Sequence, residues 1–200
     1  MLFRSVDAAV AGTTASDRFL AAPREMKGIT RDEGNAMTTL EEKLVEYIDD
    51  AYAMEQNVLR MLDSMIRTTK DPQMKRALER HKKQTEQQAE RLEECLQDYG
   101  ASPSTAKQAG GVMAALMKSV VDVARSDSPG RNARDGFATE HMEIASYQML
   151  ERVARKAGDK KTAAVARQNR EEEEAMARSI GTKWNKIVEL SLKEEGIRTP

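Results

Sequence analysis

Four segments of this chain carry an acid or a histidine where an apolar residue is due. Taken in alternate steps of four and three, the first reads Ile48, Tyr52, Glu55, Leu59, Leu62 and Ile66, so a carboxylate interrupts the stripe. The second reads Met74, Leu78, His81, Thr85, Gln88, Leu92, Cys95 and Tyr99, with three polar groups at its middle. In the third, Glu140 and Glu143 lead into Tyr147, Leu150 and Ala154. In the fourth, Glu173 sits among Ala163, Ala166, Ala177, Ile180 and Trp184, and Glu172 lies beside it on the Val165 and Met176 stripe. Such spacing gathers residues on one face of an α-helix. Carboxylates taken out of water without partners are costly, and several together repel one another. No Lys or Arg lies on these four stripes, which leaves protonation or a bound cation to relieve them. Carboxylates and imidazole with no thiolate cluster suit iron or manganese, as one or two ions shared between helices.

Each group also has an ordinary reading. Glu55 can sit at a solvated boundary, and Glu140 and Glu143 on a wet face. His81 can be a core histidine hydrogen-bonded to Thr85 or Gln88. Most of the run Glu171 to Glu174 must face water, because successive helical residues turn by about 100°. Tyr52 and Tyr147 read as packing residues, or as electron donors if the site is redox-active. Cys95 reads as an inert buried thiol, and Met54, Met61, Met65 and Met149 as core fillers. The sequence leaves both sets of readings open.

The elements that must position these residues follow from composition and punctuation. The chain has 200 residues, is rich in Ala, Glu, Lys, Arg, Leu and Met, and is only 4% aromatic, a composition of long helices that excludes an all-β fold. Thr38 or Thr39 ahead of Glu41 and Glu42 is a helix start, and no Gly or Pro follows between Leu40 and Thr68. Asp71-Pro72 supplies an N-cap and a first-turn proline for a second helix running to Gly100. A turn at Gly100 to Thr105, a shorter amphipathic segment over 106–124 and a loop at Ser126 to Gly130 read as a crossover. A third helix is expected from Asn132 to Lys156. The chain turns at Gly158-Asp159, and a fourth helix continues to Leu192 with an irregularity at Gly181. The expectation is an all-α, ferritin-like four-helix bundle of two antiparallel hairpins joined by a crossover containing a shorter helix. Residues 37–193 form the bundle, 1–36 a flexible leader without helical period, and 194–200 a tail.

Other classes are excluded. The charge balance is 32 Lys plus Arg against 33 Asp plus Glu, net −1, without the basic excess of a nucleic-acid binder. The longest apolar stretch, Val112 to Met117, falls far short of the ~18 residues that span a bilayer. A single cysteine makes neither an internal disulfide nor a Cys-ligated zinc site, so the expected compartment is the cytoplasm.

The run Asp50-Ala-Tyr-Ala-Met-Glu-Gln56, the set His81, Thr85, Gln88 and Leu92, the string Glu140-His-Met-Glu-Ile-Ala-Ser-Tyr147 and Glu171-Glu-Glu173 closely resemble the YciE/YciF family of ferritin-like stress proteins. The resemblance covers about Thr38 to Leu192 and is nearer to the YciE branch. It implies a bacterial, cytoplasmic, ferritin-like bundle associated with stress responses and without an established reaction, so no catalytic residue is named. By the family's pattern the metal ligands would be Glu55, His81, Glu140, Glu143, Glu172 and Glu173. The Glu-x-x-His spacing of di-iron bundles is absent, since Leu78 and Ala138 stand three positions before the two histidines, and Gln84 stands where relatives often have an acid. The expected function is binding of iron or manganese in redox or metal stress. The alternative is a metal-free scaffold acting through a homodimer or a protein partner, with Val112, Met113, Leu116, Val120 and Val121 as its contact surface.

Overall fold

Thr39 opens the first helix as the sequence anticipates: its hydroxyl accepts from the Glu42 N–H while the Glu42 carboxylate accepts from the Thr39 N–H, a reciprocal cap that satisfies two free backbone donors. The structure, a computed structural model, describes residues 39–104 and 128–198. Its helices are α1 (Leu40–Thr68), α2 (Pro72–Asp98), α3 (Ser128–Ala157), α4 (Lys160–Gly181) and α5 (Trp184–Glu194), with no strand among the described residues. Asp71 caps α2 by accepting from the Gln73 and Met74 N–H groups, and Pro72 occupies the first turn, where a missing N–H costs nothing. Gly158 adopts φ 75°, a left-handed conformation that turns the chain from α3 into α4 within two residues. So short a connection makes the two helices antiparallel neighbours.

Helix α1 packs on α2 and α3, α2 on α4, and α4 on α3, which closes a four-helix ring, while α5 lies against α3. The core is filled by Leu44, Ile48, Val58 and Leu62 of α1, Leu92 and Leu96 of α2, Leu150 and Ala154 of α3 and Ala166 of α4. Burying each larger aliphatic side chain contributes about 1.5–3 kcal/mol, which is what holds the ring shut around its polar middle.

The stripe expected on α3 is buried as read, as is that on α2 from His81 onward with Met74 and Leu78 half-buried, but that of α1 is offset. Tyr52, Leu59 and Ile66 are only half-buried, while Ala51, Met54, Val58, Met61 and Met65 face inward. The buried set Leu44, Ile48, Ala51, Glu55, Val58, Leu62 and Met65 keeps the same 3.5-residue repeat but steps by three after Ile48, Glu55 and Leu62, where the expected stripe stepped by four. Two boundaries also move. Helix α3 begins at Ser128, inside the expected loop, because Pro129 fits a first turn. The irregularity at Gly181 is a full break, so Trp184 opens a separate helix, sits 36% exposed and meets the edge of Phe137 at 5.5 Å, not the seam. The expected crossover helix, its surface from Val112 to Val121, and the 1–36 leader lie outside the described residues.

Candidate metal centre

The four helices bring Glu55, His81, Glu140, Glu143 and Glu173 into the middle of the ring, each at most 3% exposed. His81, Glu140 and Glu173 form the tightest group, offering ligand atoms that all lie within 4.8 Å of one another. His81 Nε2 is 3.1 Å from Glu140 Oε1 and 3.9 Å from Glu173 Oε2, without a hydrogen bond in either case. Glu55 and Glu143 stand beside this group, close enough that the Glu55 and Glu143 carboxyls sense each other and Glu173.

Unspent lone pairs distinguish these residues from every other buried acid described. Eight of the ten buried side-chain N and O atoms without a hydrogen-bond partner belong to the cluster and its neighbour Gln88, among the described residues. They include both oxygens of Glu143, both ring nitrogens of His81 and one oxygen each of Glu55, Glu140 and Glu173. Buried polar groups are ordinarily satisfied. The other described buried acids are so here: Glu151 is held by Arg155 at 2.5 Å and Arg170 at 3.1 Å, Asp135 by Arg134 at 2.6 Å, and Asp49 accepts from the Ser104 N–H at 2.8 Å.

The electrostatics follow from that isolation. Burial, reinforced by the Glu173 charge, pushes the Glu55 carboxyl up to about 8 against the pull of the Tyr147 hydroxyl. Burial likewise lifts Glu140 to about 8, and burial together with the adjoining Glu140 lifts Glu173 to about 9. Glu143, wholly buried and facing Glu55, Glu173 and Glu140, is raised well above the carboxylate range. Without a cation these acids keep their protons at neutral pH.

Glu172 stands apart from the other residues singled out in the sequence. It is half-buried and already accepts from Arg91 at 2.6 Å, Gln88 at 3.0 Å and Gln168 at 3.1 Å. Two expected partners of His81 are also corrected: Thr85 donates to the His81 carbonyl and Gln88 to Glu172 and Glu173, so neither satisfies the imidazole. Around the cluster runs a support that the helical stripes did not reveal. Arg91 donates to Asn169 at 2.8 Å, Asn169 donates to the Tyr147 hydroxyl at 3.0 Å, and Tyr147 donates to Glu55. Asn169 was legible, lying three residues past Ala166 and four before Glu173 on the same face, whereas the reach of Arg91 across to α4 was not. Tyr147→Phe is expected to strand a Glu55 oxygen and an Asn169 N–H, costing about 1–3 kcal/mol in urea denaturation of the metal-free protein. A neutral result would show that this arm carries no load.

The fold and site define an all-α bundle whose interior holds a carboxylate and histidine cluster. The chain belongs to the family described as Domain of unknown function (DUF892), whose model matches residues 39–193. Protein YciF of Escherichia coli K12 is 26% identical over 145 residues, covering 70% of this chain and 86% of YciF, in keeping with the resemblance to the YciE/YciF family. A solved structure from Xanthomonas campestris superposes with a TM-score of 0.67 at 31% identity, covering 80% of this chain and all of that one. The E. coli stress protein YciF superposes with a TM-score of 0.63 at 22% identity over 81% of this chain and all of that one, a likeness of fold. No described helix is long and apolar enough to cross a membrane.

Proposed function

We propose that this protein is a ferritin-like metal-binding protein of bacterial stress responses, holding one or two iron or manganese ions in the cytoplasm through Glu55, His81, Glu140, Glu143 and Glu173. The observation that carries the reading is the set of buried lone pairs left idle at the meeting of four helices, in a chain that pairs its other described buried acids. Oxygen and imidazole donors fit these ions and offer nothing to a thiophilic one. Glu172, engaged by Arg91, orients Gln88 and through it Glu173 instead of acting as a ligand. Once bound, the ion would supply Lewis-acid or redox chemistry. The chain's own part is to exclude water, fix the carboxylates and keep the Tyr147 hydroxyl on Glu55.

The test is metal analysis of protein purified without a histidine tag, followed by anaerobic titration with Fe(II) and Mn(II) at neutral pH. One or two equivalents should bind to the parent, and His81→Ala should weaken uptake by at least about tenfold, the scale on which even outer-shell losses are felt. A parent that takes up neither ion refutes the reading. The scaffold alternative has one observation of its own, the exposed apolar residues Trp184, Val188 and Ile197 on and just beyond α5. It requires a homodimer or partner complex that Val188→Glu disperses in light scattering, with no metal needed.

A further inference from the structure

A cavity of about 80 Å³ is lined by the exposed Lys183 and Lys186, by Ile187 of α5, and by His81 and Glu140 of the cluster. Its inner walls are Met61, Leu62, Met65 and Ala77. On α3 the lining is Asn132, Ala133 and Gly136, with Gly136 one turn before Glu140. A glycine inside a helix is less favourable than alanine, and no turn requires it here. A Cβ at Gly136 would meet only Ile180 Cδ1 at 3.7 Å, so close packing does not require it either. Its effect is to keep space open. His81 and Glu140, both nearly fully buried, line this space and carry unspent polar atoms, both ring nitrogens of His81 and Oε2 of Glu140.

We propose that this cavity is a binding pocket for a small uncharged molecule of low polarity, from dioxygen to a short hydrocarbon in size, delivered to the His81 and Glu140 side of the centre. The proposal rests on the metal-binding reading of that centre. An anion entering here would lose its hydration shell along methionine and leucine walls and end against acids that repel it. A weakly hydrated neutral molecule gives up little and gains dispersion contacts with polarisable thioethers. The walls therefore sort ligands by charge before they reach the acids.

Xenon is a suitable probe, since apolar cavities stay dry and take it up, and iodide, with the same electron count, is its charged counterpart. In the full chain labelled with ¹³C at the methionine methyls, xenon should shift Met61 and Met65 saturably while leaving Met149 unmoved, and iodide should not shift Met61 or Met65. Gly136→Leu should abolish the response and Gly136→Ala should retain it. Ala133→Leu fills the same space from another position should the first variant fail to fold. With Mn(II) bound, the relaxation rate of bound xenon should rise at least tenfold over the metal-free chain. Absence of a xenon shift in the parent, an equal response to iodide, an undiminished response in a folded leucine variant, or unchanged xenon relaxation beside bound manganese each overturns the proposal. A chain that binds xenon but takes up no manganese refutes the metal reading and the delivery role together, and so separates that failure from failure of the cavity.

Discussion

Glu143→Leu is expected to make the metal-free protein more stable by about 1–3 kcal/mol while abolishing uptake of iron or manganese. Glu143 is wholly buried, neither of its oxygens has a partner, and it faces three other acids. The fold therefore bears its desolvation with no compensating bond, and a well-packed apolar residue of similar volume removes that cost. The same change at Glu151 should have the opposite sign. Glu151 is nearly as buried but is gripped by Arg155 and Arg170, so Glu151→Leu leaves the half-buried Arg170 guanidinium with only its longer ion pair to Glu174 at 3.5 Å and should cost about 1–3 kcal/mol. Urea denaturation at pH 7 reads both values, and added Mn(II) should raise the Tm of the parent and of Glu151→Leu but not of Glu143→Leu. If Glu143→Leu destabilises as Glu151→Leu does, Glu143 is an ordinary buried acid with a structural partner, and its place in the ligand set falls.

The contrast between these two glutamates also marks how far the sequence could be read. The periodicity of α2 and α3 was enough to bury His81, Gln88, Glu140, Glu143 and Tyr147, because from His81 and from Glu140 onward each four-three step lands on the face that meets the other helices. Over α1 the threes and fours were taken in the wrong order, which kept Glu55 but put Tyr52 and Ile66 in place of Ala51 and Met65. Helical spacing says which face a residue occupies and nothing about what waits across the bundle. It set Glu173 on the seam and Glu172 beside it, but could not show that Arg91 of α2 draws Glu172 off. For the same reason the chain of bonds from Arg91 to Glu55 was hidden, since Asn169 and Tyr147 meet only when α3 and α4 are folded together. The cavity beside Gly136 was less accessible still, because a space belongs to the surrounding walls and not to any residue.

Raising the pH should destabilise the metal-free protein and strengthen its stabilisation by metal. In the unfolded chain Glu55, Glu140 and Glu173 release their protons near the ordinary value of 4.5, whereas in the folded chain they hold them to about 8, 8 and 9. Below the lower value both states are protonated and the stability linked to these groups is fully present. Between the two values the folded state binds more protons, so stability falls as pH rises and levels off only above the folded values. One retained proton gives a slope of about 1.4 kcal/mol per pH unit, and three acids make that a lower bound between about pH 5.5 and 7.5. A divalent ion needs the deprotonated ligands, so its affinity, and the stability it adds, must climb over the same interval. Denaturation curves recorded with and without Mn(II) should therefore diverge with pH. Glu55→Gln removes one titrating group and should flatten the metal-free slope by about one proton, while Glu172→Gln, outside the cluster and beside Arg91, should leave it nearly unchanged. A metal-free stability that is flat across this interval would mean that the acids ionise as they do in water, with the bundle open at its centre, and the metal reading would lose its physical basis.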